Sequence, residues 1–294
     1  MRIGAAIPQH EIASDPAALG AFVAGVEELG YAHLLVFDHV VGAARESRPD
    51  WGGPYDLTDP FHEPFVLLAW VAGRTARIGL ATGVLILPQR QTALVAKQAA
   101  ELDLLSGGRL RLGVGVGWNR VEYQALGYPF EARGARIEEQ VRLLREYWTE
   151  EQVTFRGRWD QVEAAGLNPR SVQRPIPIWM GGSAMAVVER AARLADGWMP
   201  MIRPDVKGSR LVRSFRQLID EGGRREQVGI EARLSLRLMP PDLWGSELDA
   251  WSGLGATHVT VNTSGLGLQD VDEHLGLLER LRSEFAARVE WQGP

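Results

Sequence analysis

The run Phe37-Asp38-His39 sets a carboxylate beside an imidazole. Imidazole titrates near neutral pH, so it can hydrogen-bond a reacting oxygen or move a proton. A helix-capping Asp next to a surface His gives the same dipeptide, and only its place on an element separates the two readings. In Gly113-Val114-Gly115-Val116-Gly117-Trp118 the third glycine falls too soon for a dinucleotide fingerprint and no helix starts at once, which excludes that site. Glycines here let the backbone lie flat against a ring or chain, and Trp118 can stack on a ligand or simply pack. Glu122 follows, as a ligand-hydroxyl partner or as a solvated loop acid. In Trp179-Met180-Gly181-Gly182-Ser183, two glycines lead into a helix and expose N–H groups at its positive end, the makings of an anion site or of a plain tight turn. Gly83, inside Ala81-Thr82-Gly83-Val84, marks a bulge, a close approach or core packing.

Other chemistries are excluded. The chain has no cysteine, hence no disulfide, thiolate metal site or cysteine nucleophile, and this fits a reducing cytoplasm. His62-Glu63 lacks the second histidine of a helical zinc motif, and Gly182-Ser183-Ala184 is not a nucleophile elbow. The net charge of -5 shows no basic stripe for nucleic acid. No apolar run approaches the roughly 20 residues of a membrane span, and no signal peptide is read at the N-terminus.

These residues need a scaffold. Short apolar runs at 2–8, 33–38, 78–87, 109–116, 176–180, 197–201, 232–239 and 258–262 read as strands. Segments of helical period at 16–29, 63–74, 91–105, 134–148, 184–195, 205–221, 241–254 and 271–288 alternate with them. Strict alternation implies βαβ units and a parallel sheet. Eight units over 294 residues predict a single (β/α)8 TIM barrel spanning 1–294, ahead of an open doubly wound sheet. Long connections at 40–62 and 119–133 follow strands, on the face where barrels build active sites, while 149–175 contains a hairpin pattern at 153–159.

In order and at their spacing, Phe37-Asp38-His39, Leu80-Ala81-Thr82-Gly83-Val84, the run from Leu105-Ser106-Gly107-Gly108-Arg109 into Gly115-Val116-Gly117-Trp118, and Pro175-Ile176-Pro177-Ile178-Trp179-Met180-Gly181-Gly182 resemble the luciferase-like monooxygenase superfamily. The resemblance is to its F420-dependent oxidoreductase branch. It implies a bacterial luciferase-like barrel, a deazaflavin cofactor (coenzyme F420, with FMN as the alternative) and a non-prolyl cis peptide at Gly83–Val84. It implies Asp38 and His39 at the ring edge beside Thr82, Gly83 and Val84, then Gly117, Trp118 and Glu122 along the ribityl chain, and Met180, Gly181, Gly182 and Ser183 at the phosphate. His39, Asp38 and Glu122 become the candidate catalytic groups. Gln9, Trp51 and Trp198 become candidate substrate contacts, within an aromatic set that includes Tyr55. The expected activity is hydride transfer between F420 and a small organic substrate, in a homodimer formed through the helices after strands two and three. An FMN-dependent monooxygenase with a separate reductase, and a flavin-binding barrel without turnover, are the alternatives.

Overall fold

The computed structural model describes residues 1–12, 14–224 and 228–292. Along the chain run β1 (Arg2–Ala6), α1 (Gln9–Ile12), α2 (Pro16–Glu28), β2 (His33–Val36), α3 (Pro64–Ala72), β3 (Gly79–Thr82), β4 (Leu85–Ile86) and α4 (Thr92–Leu105). Then come β5 (Leu110–Gly115), α5 (Arg120–Ala125), α6 (Arg133–Thr149), β6 (Val153–Arg156), β7 (Gln161–Ala165), β8 (Ile178–Gly181) and α7 (Met185–Leu194). The chain finishes with β9 (Gly197–Met199), α8 (Val206–Glu221), β10 (Gly229–Ser235), α9 (Trp244–Gly253), β11 (His258–Asn262) and α10 (Val271–Glu284).

The sheet order β3-β2-β1-β11-β10-β9-β8-β5-β4 closes through pairing of β3 with β5, all in parallel. Counting β3 and β4 as one interrupted strand, this is an eight-stranded parallel barrel ringed by helices, a TIM barrel as the alternation predicts. Each helix follows local rules. In α2, Pro16 takes the first position, Asp15 accepts from the N–H groups of Ala17 and Ala18, and Leu19, Phe22, Val23 and Val26 form the buried face. The hairpin pattern becomes the antiparallel ribbon β6–β7, outside the barrel. No helix among the described residues is long and apolar enough to cross a membrane.

Several boundaries differ from the sequence reading, and three of them have a local physical cause. The apolar run 78–87 is broken, because Gly83 donates its N–H to Val36 O at 2.7 Å and the chain then leaves the strand path. The Gly83–Val84 peptide is cis. The run 232–239 leaves β10 after Ser235 for a 3-10 turn at Leu236–Leu238. The segment 241–254 opens with a second 3-10 turn at Pro241–Leu243, set by the Pro240-Pro241 pair, before α9 begins.

Below the C-terminal ends of the strands the barrel interior is charged. Glu231 on β10 accepts from His33 Nε2 at 2.8 Å, meets the Arg111 guanidinium at 2.8 Å and accepts from the Thr260 hydroxyl. Trp179 packs under Arg111 with 4.5 Å from guanidinium carbon to ring centre, and its ring meets His258 edge-on at 5.0 Å. The bulk of Trp179 dictates a glycine opposite: a Cβ on Gly197 would lie 2.1 Å from the indole. Burial pushes the buried Glu231 carboxyl up, but Arg111 and His33 more than offset this and hold it below its usual range. Burial, then Arg111 and His33, lower His258 to about 3.

The unfolded chain takes up a proton at His258 from about pH 6.5 downward, whereas the folded chain does so only near 3. Stability therefore rises with pH across that window and is lost on acidification. Urea unfolding of the parent and of His258→Gln at several pH values between 7 and 4 is expected to show a shallower acid loss in the variant. Equal slopes would remove His258 from this account.

Candidate active site

The strand ends β2, β4, β5, β8 and β10 and the connection 40–62 enclose a cavity of about 510 Å³, within the usual range for a small-molecule site. Phe37, Val84, Ile86 and Met199 supply apolar wall, and Gly115, Gly117 and Gly181 supply bare backbone. Val84 is seated between two of those glycines: a Cβ on Gly115 would fall 2.4 Å from its side chain, and one on Gly181 2.6 Å. Glycine at both positions is what lets the 83–84 peptide project from the wall.

His39 lines this cavity, and its Nδ1 lies 3.1 Å from Glu122 Oε1. The same oxygen accepts the Val40 N–H at 2.9 Å, and Gln89 Nε2 donates to the other oxygen at 3.4 Å. A carboxylate only accepts, so Nδ1 carries the proton in the neutral ring and Nε2 is left for the cavity. Tyr55, Phe61 and Trp118 surround the imidazole at ring-centre distances of 5.1, 4.5 and 5.8 Å. Glu122 is 1% exposed, so it is no solvated loop acid; it lines the cavity beside His39 and gives one oxygen to the imidazole and the Val40 N–H. Its carrier is the short helix α5, inside the connection 119–133. Asn119 caps it by accepting the Val121 N–H, and Asn119-x-x-Glu122 has the spacing of a capping box, the signal by which this turn was legible.

Asp38 is buried with both oxygens engaged, one accepting the Ile86 N–H at 2.8 Å and the other pairing with Arg90 at 2.8 Å. Arg90 reaches on to Glu63 at 2.7 Å. Burial pushes the Asp38 carboxyl up, with Arg90 and the Ile86 N–H pulling against it. As a candidate catalytic group Asp38 is therefore relocated: it lines the cavity but holds the backbone beyond the 83–84 bulge.

At the anion turn, the Gly182 N–H is taken by Met199 O at 3.2 Å, and Ser183 Oγ accepts the Met201 N–H at 3.0 Å. Among the described residues the Ser183 and Ala184 N–H groups have no protein acceptor, and Ala184 gives α7 no side-chain cap. The donors thus sit one or two residues later than the glycine pair suggested.

Several sequence candidates stand behind the wall. Trp198 is fully buried, packs on Phe215 and donates its indole N–H to Gly182 O at 2.8 Å, so it backs the turn and cannot touch substrate. Thr82 is fully buried and donates its hydroxyl to Gly113 O, and Met180 lies in the main core. Gln9 is buried as a clamp, donating to Phe37 O and accepting the His62 N–H. Trp51 does not line the cavity. It donates to Tyr55 O and packs at 5.6 Å on Trp118, which is 41% exposed at the rim.

A second cavity of about 620 Å³ adjoins the first and shares Phe37, Pro54, Tyr55, Met201 and Arg233 with it. Sequence reasoning missed Arg233, since a lone arginine in an apolar strand has no motif. Two residues after the inward-facing Glu231, it falls on the same inward face of β10.

A family model described as luciferase-like monooxygenase matches residues 1–262. An uncharacterized protein of Mycobacterium tuberculosis is 35% identical over 209 residues, 71% of this chain and 72% of its own length. An F420-dependent glucose-6-phosphate dehydrogenase of Kineococcus radiotolerans is 32% identical over 231 residues, covering 75% of this chain and 64% of that one. A solved monooxygenase of Streptomyces bottropensis superposes with a TM-score of 0.77 at 21% identity, over 98% of this chain and all of that one, which shows the shared fold. Fold, glycine-lined cavity and sequence match agree, and the chain belongs to the luciferase-like monooxygenase family.

Proposed function

We propose that the protein is an F420-dependent oxidoreductase acting on a small organic substrate. The observation that carries the reading is the cavity itself: an apolar, glycine-lined slot with a carboxylate-oriented imidazole beside the projecting 83–84 peptide and unsatisfied N–H groups at one helix end. The relative named for F420 dependence supports the choice of cofactor. The donor set suits a tricyclic ring with a phosphorylated chain: Val84, Ile86 and Gly115 for the ring, and the Ser183 and Ala184 N–H groups with the α7 dipole for phosphate. When bound, a deazaflavin supplies hydride exchange with a substrate carbon.

The chain's own work is positioning and proton handling. Glu122 holds Nδ1–H, so His39 Nε2 is the atom that accepts a proton from a substrate hydroxyl or, once protonated, returns it to a carbonyl oxygen. Trp118, Tyr55 and Phe61 pack around the imidazole ring. Asp38 and Arg90 fix the backbone of 85–86 so that the ring wall keeps its shape.

The reading extends to a homodimer through α3 and α4, whose outer faces expose Val66, Leu94 and Leu105. Light scattering on the purified protein should return twice the chain mass of 32.4 kDa, and a monomer would remove that element.

FMN offers the same ring shape and phosphate, so the deciding experiment is a paired fluorescence titration. F420 is expected to bind at least about tenfold tighter than FMN, a difference of ~1.4 kcal/mol. Equal or reversed affinities would favour the FMN alternative. Gly182 has φ +133° and its Cβ would crowd Val187 at 3.3 Å, so Gly182→Val should distort the turn and weaken both cofactors by more than about tenfold. Unchanged affinity would move the phosphate elsewhere.

His39→Ala should leave the fold and F420 affinity intact while lowering turnover roughly a hundredfold. Glu122→Gln should cost about tenfold or more, by releasing the imidazole's orientation. Parental turnover in His39→Ala would reduce that residue to cavity wall.

A further inference from the structure

Arg233 stands where the two cavities meet. It lines both, its guanidinium donates one hydrogen bond, to Gly83 O at 3.0 Å, and it lies over the Phe37 ring at 4.8 Å. A guanidinium has five N–H donors and stays charged in proteins. Among the described residues no carboxylate comes within ion-pair distance of Arg233. The nearest acid on its own strand, Glu231, already serves Arg111, His33 and Thr260 beneath it. Burial lowers the Arg233 pKa, with Tyr55 and Glu231 pulling against it.

The acids of the larger cavity are engaged as well. Glu247 pairs with Arg203 at 2.9 Å. Glu11 accepts the Gly265 N–H at 2.8 Å and lies 3.2 Å from His274. Asp59 accepts the Asp56 N–H at 2.7 Å. Around Arg233 the same chamber places Ser235, Asn262 and the exposed Arg237, all able to donate hydrogen bonds. Arg233 is half-buried; a partly desolvated cation gains from an anion that meets it, and its open side faces the chamber that is left for substrate once a cofactor fills the smaller cavity.

We propose that Arg233 is a specificity-determining residue and that the substrate is a small organic anion, a carboxylic acid or a phosphate monoester, whose charged group it holds at the junction of the two cavities. This rests on the F420 reading for the smaller cavity. Planar, forked N–H donors match either anion. Holding that group at the junction sets the neighbouring substrate carbon toward the cofactor cavity and His39. Arg233 then selects against neutral alcohols and carbonyls of equal size, which leave the guanidinium unpaired.

The test is calorimetric titration of the F420-loaded protein, and of the protein without cofactor, with two matched pairs: glycolate against ethylene glycol, and glycerol 3-phosphate against glycerol. At least one anion is expected to bind about tenfold or more tighter than its neutral partner and to perturb the fluorescence of bound F420. The pair showing the preference identifies carboxylate or phosphate. Arg233→Gln should abolish the preference, and Arg233→Lys should keep part of it. Anions and neutral partners binding alike to the parent protein would overturn the proposal without any variant having to fold. So would an anion that binds without touching the F420 signal, or a preference that survives in Arg233→Gln. Loss of F420 affinity in Arg233→Gln with the anion preference intact would assign the charge to the cofactor and overturn it too. Failure of F420 to bind the parent at all refutes the cofactor reading instead, and the titrations without cofactor still decide the anion preference.

Discussion

A strand that leaves its sheet must find other partners for its backbone, and the third strand of this barrel leaves at Gly83. Asp38 makes that departure possible. Its carboxylate takes the Ile86 N–H, while its second oxygen meets Arg90, itself tied to Glu63 at the start of α3. From the other side Arg233 donates to Gly83 O. The broken strand is thus held at both lips, and the cis peptide between them projects into a cavity instead of completing a ladder. Removing one partner from a buried ion pair is costly, on the order of 3–5 kcal/mol, so the shape of the wall and the stability of the fold share the same few contacts.

The barrel interior divides its charges by height. On β10, Glu231 faces inward below and Arg233 faces inward above, two residues apart on one side of the strand. The lower group is saturated by Arg111, His33 and Thr260 and belongs to the floor. The upper group has donors to spare and belongs to the site. His39 is arranged in the opposite manner to Arg233: its polar partner Glu122 is buried beside it, and only its far nitrogen meets the cavity. One side chain is oriented in advance by a protein partner, the other is left for a ligand.

Much of this architecture was legible in the sequence, because apolar runs and helical periods report burial directly. The eight strands and their helices follow from that pattern, as do the glycines at 83, 115, 117, 181 and 182, whose spacing marks backbone approach. What escaped depends on through-space partners that carry no local signal. Asp38 and His39 are neighbours in sequence, yet one turns to Ile86 and Arg90 and the other to Glu122. Trp198 reads as a candidate substrate contact, but alternation on β9 points it away from the cavity to back the Gly182 turn. Trp179, one strand over, is large and inward, and Gly197 exists to make room for it. Side-chain direction on a three-residue strand is a matter of one register step, which composition cannot fix.

Under the proposed function, the slot beside Gly83–Val84 receives a deazaflavin whose phosphate meets the start of α7. A crystal structure of the protein grown with F420 tests it most directly. The ring is expected against residues 83–86, with His39 Nε2 facing its reactive edge, and the phosphate within hydrogen-bond distance of the Ser183 and Ala184 N–H groups. A ring seated in the larger cavity beside Arg237, or a phosphate away from α7, would contradict it.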